Sequence, residues 1–440
     1  MKKILLFIAC LLFLLEGCRQ ASKQQTTDNY SISEDILLDS AVTRIKIDNF
    51  DTNSVLKYSE VFEEVNFVRL ETTDNCLIGR VDRIVATADK FIILDSSIAH
   101  MVFVFNRDGS FANRIGTRGE GPQDYDSPDD IAYDKYKDEL LVLCHNNKSI
   151  LRFKLDGTFV GKITVEWWIS SIFVVDDNAY LLFFNNRIQP NRKRNDHNIF
   201  VINEDGKILE KLFPYQKETG EHSPPRPKFS YYNNEIIFSQ YYFNTVYSME
   251  NNEIKPKYYL DFGKRGIPMS VFVNNKSTEL WKIIKDREYV YNMASFETSS
   301  HVITQFSYKG FIFDFFYSKP SGNTRTSCVY INDMHHLSPN RSFFFMSDDL
   351  LISPVNPESF VVNKALIQKS KNNKKDMNEV MYDEMFPLLS SLTIDKKLKD
   401  NFMEILKTTR ITVTDEEIDF VNSIEADENP VLLIAKPKEF

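Results

Sequence analysis

The chain is poor in glycine and cysteine and has no excess of positive charge. Only 14 of its 440 residues are glycine and five are cysteine. This composition excludes a collagen-like repeat and a small disulfide-stapled domain. With 53 Lys and Arg against 62 Asp and Glu, the formal net charge is −9. A nucleic-acid partner requires a basic surface, so we expect none.

Aromatic residues, in contrast, are abundant. The chain has 35 Phe and 20 Tyr, and 42% of its residues are hydrophobic. Aromatic side chains at this density favour half-buried strands over helical bundles. A single compact core seldom exceeds about 250–300 residues. We therefore expect either two domains or one large ring-like architecture made mainly of strands.

Residues 1–17 have the pattern of a lipoprotein signal peptide. Two lysines precede an apolar run at 4–15. This run is too short to span a bilayer, which requires about 20 residues. The run ends in Leu-Glu-Gly-Cys18, which resembles a bacterial lipobox with Cys18 as the lipidated residue. Glu16 departs from that pattern, so an ordinary signal peptide followed by a chance cysteine is the alternative.

The stretch 18–40 is polar and predicts a flexible tether between a membrane and a globular part at 41–440. Arg19 stands where an aspartate would retain a lipoprotein at the inner membrane, and no acidic cluster follows the cysteine directly. We therefore expect a lipid anchor in the outer membrane, with the protein facing the periplasm.

The globular part contains a repeated strand–turn–strand pattern. Gly109, Gly157 and Gly206 each follow an aspartate between two alternating apolar runs, and a degenerate fourth copy has Asn252 at the turn. Asp-Gly supplies the positive φ angles that a tight hairpin requires. Two further strand-like runs precede each hairpin. Four strands in each repeat of about 48 residues indicate the blades of a β-propeller.

A family resemblance supports this interpretation. Residues 114–134 are similar to the linker between blades in NHL-repeat propellers. Together with 68–73, 259–263 and 427–434, they resemble segments of the six-bladed β-propeller lipoproteins of Bacteroides-like bacteria. The resemblance implies an all-β, six-bladed propeller in the cell envelope and says little about activity.

The predicted ring is closed by strands from both ends of the chain. Residues 431–435 are expected to pair with 65–70 within the last blade, which removes exposed sheet edges. The six blades are predicted at 80–116, 124–164, 167–213, 229–263, 295–332 and 341–362.

Two helical insertions interrupt the blades, near 278–293 and 361–425. In the second, Leu398, Phe402 and Ile405 share one face of a helix. We expect this insertion to pack on the propeller as a lid or buttress, with a partner-binding arm as the alternative.

Recognisable catalytic motifs are lacking. The chain has no Gly-x-Ser-x-Gly elbow, no His-Glu-x-x-His pair and no phosphate-binding Gly-Lys-Ser/Thr loop. His335 and His336 are adjacent and fit a solvated loop better than a metal site, so we predict no metal site. The basic segment 187–194 fits an exposed loop.

Candidate ligand-binding residues cluster where the loops between blades open at one mouth of the channel. Tryptophan offers a rigid stacking surface for sugar rings, and arginine offers planar donors for carboxylates and hydroxyls. Wedging between blades is the alternative role for either tryptophan. The predicted site residues are Arg80, Asp82, Arg118, Asp129, Trp167, Trp168 and Arg226.

These observations leave two functions open. The favoured one is a membrane-anchored binding or scaffold module without enzymatic activity and without a cofactor, which binds glycans, other nutrients or a protein ligand. The alternative is a propeller hydrolase or lyase that resembles the calcium-dependent lactonases. Such enzymes hold calcium through several oxygen ligands. Asp82 and Asp129 offer two of them, and no third is evident in the sequence.

Overall fold

The computed structural model describes most of the globular part of the chain. The described residues do not include the predicted signal peptide and tether, and so they do not include Cys18. Arg226 also lies outside them. No helix within the described part is long and apolar enough to cross a membrane. The structure describes residues 41–48, 50–144, 146–189, 191, 195–214, 229–233, 235–275, 277–335, 345–347, 349–377, 379–384, 396–409 and 413–440.

Strands dominate the structure, and consecutive strands form antiparallel sheets. Three strands come first and join sheets that form later: β1 (Thr43–Lys46), β2 (Val55–Lys57) and β3 (Phe62–Arg69). Sheet 1 contains β4 (Arg83–Ala86), β5 (Lys90–Asp95), β6 (Met101–Asn106) and β7 (Phe111–Ile115). Sheet 2 contains β8 (Asp130–Asp134), β9 (Glu139–Cys144), β10 (Ser149–Phe153) and β11 (Phe159–Thr164). Sheet 3 contains β12 (Ser171–Asp176), β13 (Ala179–Phe183), β14 (His197–Ile202) and β15 (Ile208–Pro214).

The second half of the chain continues the same pattern with insertions. Sheet 4 contains β16 (Phe229–Tyr232), β17 (Glu235–Ser239), β18 (Thr245–Glu250) and β19 (Glu253–Asp261). Helices α1 (Met269–Asn274) and α2 (Ser277–Asp286) follow. Sheet 5 contains β20 (Tyr291–Glu297), β21 (His301–Tyr308), β22 (Phe311–Ser318) and β23 (Thr324–Ser327), and β24 (Val329–Ile331) comes next.

Sheet 6 combines strands from both ends of the chain. It contains β25 (Phe345–Ser347), β26 (Leu350–Val355), β27 (Val431–Pro437) and β3. The predicted pairing of the C-terminal strand with the N-terminal segment is observed, since Val431 pairs with Arg69 and Ala435 with Val65. Between β26 and β27, the described residues include helices α3 (Glu358–Asn373), α4 (Lys396–Thr408) and α5 (Asp415–Ser423), and 379–384 are helical as well.

The N-terminal strands form a strap, residues 43–69, across three sheets. β1 extends sheet 4 by pairing parallel with β19, β2 pairs parallel with β24, and β3 completes sheet 6. Side chains fasten the strap as well. Asp333 accepts hydrogen bonds from the Ser59 N–H at 2.9 Å and from its hydroxyl at 2.6 Å.

Each sheet begins with a strand at its edge, and these first strands, called the inner strands, lie against one another. β4 contacts β8 and β25, β8 contacts β12, and β16 contacts β20 and β25. The sheet faces pack on neighbouring sheets, because alternate residues of a strand point to opposite faces. One buried cluster, for example, joins Val142 and Phe153 of sheet 2 to Ile92 and Val104 of sheet 1.

The predicted hairpin turns are present. Gly109, Gly157 and Gly206 have φ of 88°, 90° and 78°, and Asn251 and Asn252 also have positive φ. Each glycine also approaches the end of the outer strand of another sheet, which is the edge strand opposite the inner strand (β3, β7 or β11). A Cβ added there would lie 2.0 Å from the Arg69 carbonyl oxygen at Gly109, 3.1 Å from that of Arg114 at Gly157 and 2.7 Å from that of Thr164 at Gly206.

The first helical insertion starts and ends earlier than predicted, with α1 and α2 between Met269 and Asp286. The sequence predicts a helix near 278–293, but α2 ends at Asp286 and a strand starts at Tyr291. Glu288 adopts a left-handed φ of 53°, and the Tyr289 N–H donates to the Ile284 carbonyl at 3.0 Å, which together cap the helix.

The second insertion packs as a buttress. Leu398, Phe402 and Leu406 of α4 are buried in one cluster with Leu351 and Val431 of sheet 6. This supports the lid or buttress interpretation over the partner-binding arm for the described helices. Residues 378, 385–395 and 410–412 of the predicted insertion lie outside the described residues.

Candidate functional site

We use the name mouth surface for the loops that precede the inner strands of sheets 1 to 3. It includes 71–82 before β4, 116–129 before β8 and 165–170 before β12. In an antiparallel sheet, the turn between the second and third strands lies at the same end of the sheet as the start of the first strand. Hydrogen bonds join the two sets of loops: Asp82 accepts from Ser96, Asp126 from Asn146, and Gln189 from the Trp168 N–H.

Arg80 and Asp82 lie together on this surface. Arg80 Nε is 2.9 Å from Asp82 Oδ1, with the arginine side chain 64% exposed and the aspartate 13%. Asp82 Oδ2 accepts hydrogen bonds from the Ser96 N–H, the Ser96 hydroxyl and the Ser97 N–H. Oδ2 of Asp82 therefore holds the local turn, and Oδ1 orients Arg80.

Arg118 and Asp129 lie in the next loop. Arg118 is 61% exposed, and its guanidinium is 3.8 Å from Asp126. Its backbone forms a parallel bridge with Tyr125, whose buried hydroxyl fixes the loop by donating to the Ile115 carbonyl at 2.6 Å. Burial raises the pKa of Tyr125 well above its ordinary value. The Asp129 N–H donates to the Leu143 carbonyl at 2.7 Å, which aligns the start of β8 with β9.

The two adjacent tryptophans have different surroundings. The Trp167 ring packs edge-on against Phe200 and Phe184, with centroids 5.3 and 6.3 Å away. It therefore packs on sheet 3, against the buried cluster that joins sheets 2 and 3. Trp168 is 36% exposed, and the Arg187 guanidinium carbon lies 5.6 Å from its ring centroid.

The loop between β13 and β14 holds Trp168 in place. Gln189 accepts the Trp168 N–H at 2.9 Å and donates to its carbonyl at 3.2 Å. Asn186 and Asn198 exchange hydrogen bonds of 2.8 and 2.6 Å, and Asn185 and Asn186 have left-handed φ of 53° and 57°. All four amide side chains are buried. Residues 185–189 of this loop are thus fixed by buried amides, as a preorganised binding surface requires.

The sequence predicts an exposed loop at 187–194 but not the buried amides that hold it, for which the Asn185-Asn186 pair is the only sequence signal, because asparagine tolerates left-handed φ better than most residues. Residues 190 and 192–194 lie outside the described residues. Sequence reasoning also missed a polar group that joins sheets 1 and 2. The polar group lies on the inner strands. Arg83 Nη1 donates to both oxygens of Asp130 at 2.7 and 2.8 Å, and Asp130 also accepts the Ile172 N–H at 2.9 Å.

An aromatic cluster borders the mouth surface at sheets 4 and 5. Tyr241 and Tyr242 follow β17 and contact Tyr291 at the start of β20. Trp281 of α2 packs edge-on against Tyr291 at 5.8 Å while remaining 56% exposed. Burial raises the pKa of Tyr241. Tyr242 adopts a φ of 76°, an uncommon conformation for a bulky residue.

The described residues contain no group of three or more His, Cys, Asp or Glu side chains that could hold a metal ion. His335 lies 3.5 Å from Glu417 of α5 and packs edge-on against Phe67. It is therefore in contact with the buttress, whereas His336 lies outside the described residues.

Four-stranded antiparallel sheets whose first strands pack together define a β-propeller-like protein, which confirms the predicted fold at this level. The chain belongs to the DUF4934 family, described as a domain of unknown function, whose model matches residues 42–436. No curated protein matches the chain.

Solved structures include several similar folds. A protein from Bacteroides fragilis that is described as exported has 18% identity and a TM-score of 0.67, with 90% of this chain and 100% of that chain covered. A DUF4221 family member from Bacteroides vulgatus has 10% identity, a TM-score of 0.39 and coverage of 61% and 85%. Virginiamycin B lyase from Staphylococcus aureus has 14% identity, a TM-score of 0.32 and coverage of 55% and 66%. The first similarity establishes a shared fold alone, and the two weaker ones carry no argument.

Proposed function

We propose that the protein is a binding module of the cell envelope. It is a closed, six-bladed β-propeller, anchored by a lipid on Cys18 to the outer membrane and facing the periplasm. Its mouth surface binds a ring-bearing or acidic ligand, a class that includes glycans and other nutrients.

The packing between sheets supports a closed ring. Sheet 6 shares a buried cluster with sheet 1, in which Ile352 and Leu432 meet Ile84 and Phe103. Sheets 1 and 2, 2 and 3, 3 and 4, 4 and 5, and 5 and 6 share clusters in the same way. The contact of Gly109 with the end of β3 repeats the contacts of Gly157 and Gly206 with the ends of β7 and β11.

One observation carries the binding proposal: Trp168 is exposed and yet firmly held. Its backbone is fixed by the buried Gln189 through two hydrogen bonds, and Arg187 lies beside its ring. A large aromatic surface that needs no ordering on binding suits a sugar ring or another flat ligand. Arg80 and Arg118 add exposed guanidinium groups on the same surface.

The alternative, a calcium-dependent hydrolase or lyase, has less support. Calcium requires six to eight oxygen ligands. Both oxygens of Asp82, one of the two ligands offered by the sequence, already bind Arg80, Ser96 and Ser97. Thermal melting with and without calcium tests this alternative, since a large calcium-dependent increase in Tm would favour the enzyme.

Screening on an array of neutral and acidic polysaccharides tests the binding proposal. We expect Trp168→Ala and Arg118→Ala to weaken retention of the bound polysaccharide about tenfold, in line with the loss of a stacking contact or a charge-assisted hydrogen bond. Tyr136→Ala is the matched control, because Tyr136 is 49% exposed in the turn between β8 and β9, away from the mouth surface. Equal retention by all variants would refute the assignment of this surface.

The envelope assignment rests on the lipobox-like sequence, and the similar fold of a Bacteroides protein described as exported agrees with it. Cys18→Ser should release the protein from the outer-membrane fraction. Unchanged membrane fractionation of this variant would contradict the lipid anchor.

A further inference from the structure

Arg83 has an unused hydrogen-bonding edge. An arginine carries five N–H donors on a planar fork. Nη1 donates to both oxygens of Asp130, and neither Nε nor Nη2 has a hydrogen-bond partner within the described residues. Neither atom is among the buried unpartnered groups, and the side chain is 18% exposed. The Nε and Nη2 edge is therefore accessible to a ligand.

The guanidinium lies among the inner strands of three different sheets. Arg83 belongs to β4, Asp130 to β8, and Phe173, whose ring centroid is 6.0 Å from the Arg83 guanidinium carbon, to β12. Sheets 1 and 3 are separated by sheet 2, so Arg83 must extend past the edge of β8 to approach Phe173. Its accessible edge therefore faces the space that the inner strands enclose.

Buried contacts hold the guanidinium in one orientation. Asp130 is 2% exposed and also accepts the Ile172 N–H at 2.9 Å. Phe173 is fixed in turn by tilted contacts to Tyr231 at 4.4 Å and Phe229 at 5.6 Å. A held guanidinium with a free Nε and Nη2 edge matches the two oxygens of a carboxylate, and a partly desolvated site strengthens such a pair.

The distance from this edge to Trp168 limits the ligand. Asp130 accepts a hydrogen bond from the Ile172 N–H, and the four steps along the backbone from Trp168 to Ile172 span at most about 14 Å. A carboxylate on Arg83 and a ring on Trp168 are thus within reach of one short oligosaccharide. We propose that Arg83 binds the carboxylate of an acidic sugar, so that the ligand is a uronic-acid oligosaccharide. This inference rests on the proposed function, since it assumes that the ring stacks on Trp168.

Isothermal titration with trigalacturonic acid and with its uncharged methyl ester tests the proposal. The wild-type protein should bind the acid about tenfold or more tightly than the ester, the effect of one charge-assisted bidentate contact. Arg83→Gln should abolish this preference without weakening ester binding. Arg83→Lys, which retains a positive charge for Asp130 but lacks the planar edge, should do the same if Arg83→Gln fails to fold.

Arg152→Gln is the control for a general effect of removing a buried arginine. Arg152 is 16% exposed, close to the 18% of Arg83, and it binds Glu139 and Glu204 instead of a residue at the mouth. This variant should retain the preference for the acid. Three results would overturn the inference: equal binding of acid and ester by the wild type, no binding of the acid, or retention of the preference for the acid in Arg83→Lys. If acid and ester bind equally but Trp168→Ala weakens both, the proposed function stands and only the role of Arg83 fails.

Discussion

Gly109 offers the sharpest test of how sheets 6 and 1 meet. A Cβ at this position would lie 2.0 Å from the carbonyl oxygen of Arg69, at the end of β3. The Glu71 N–H donates to the Gly109 carbonyl at 2.8 Å across the same contact. The obstacle is backbone and not a flexible side chain, so alanine can be accommodated only if the two sheets separate locally.

Gly322→Ala isolates the cost of backbone conformation. Gly322 has a φ of 71°, close to the 88° of Gly109, but a Cβ there would meet nothing within 4 Å. Left-handed φ alone costs a residue with a Cβ about 1–2 kcal/mol. Overpacking adds about 1–3 kcal/mol, so Gly109→Ala should lose about 2–5 kcal/mol of unfolding free energy.

Urea unfolding followed by tryptophan fluorescence measures both variants against the wild type. Gly157→Ala should fall between them, because its Cβ would lie 3.1 Å from the Arg114 carbonyl oxygen. If Gly109→Ala were no less stable than Gly322→Ala, the close packing of sheet 6 on sheet 1, and with it the closed ring, would be refuted.

Two further predictions concern buried polar groups. The buried Asn429 side chain accepts a hydrogen bond from the Ile78 N–H and donates to the carbonyls of Glu71 and Cys76. Asn429→Ala should therefore lower the unfolding free energy by about 2–4 kcal/mol in the same urea assay. An unchanged urea midpoint would contradict this. Burial, followed by the nearby Lys319 charge, lowers the pKa of His301 from 6.5 to about 4, so the unfolded chain takes up the proton first as the pH falls. The contribution of His301 to the unfolding free energy should therefore be fully present above pH 6.5 and be lost between pH 6.5 and 4, with a loss of about 2 kcal/mol between pH 7 and pH 5. In the His301→Asn variant, the urea midpoint should no longer show this part of the pH dependence.

The repeated sheets could be predicted because their signals are local. An Asp-Gly turn between alternating apolar runs specifies its own hairpin, and all three glycines have the expected positive φ. The predicted pairing of the two chain ends also needed only apolar strands at both termini. The strand that starts at Tyr291 was predicted to start only at 295, because the change from helix to strand occurs at the left-handed Glu288, which no sequence motif marks.

The candidate site was predicted less completely because its contacts join separate sheets. The Arg83–Asp130 pair depends on how sheet 1 sits beside sheet 2, which no local pattern encodes. The same holds for the different surroundings of Trp167 and Trp168, since these adjacent residues meet different parts of sheet 3: Trp167 packs on Phe200 of β14, and Trp168 lies beside Arg187 of the loop before it.

The strap has a consequence for the order in which the chain can fold. Arg44 and Asp261 are bonded partners 217 residues apart, Ser59 and Asp333 are 274 apart, and Arg69 and Glu428 are 359 apart. The first segment of the globular part to be synthesised is therefore among the last to find its partners. Until then its apolar residues and strand edges stay exposed, which makes the chain slow to fold and prone to aggregate before the strap is in place.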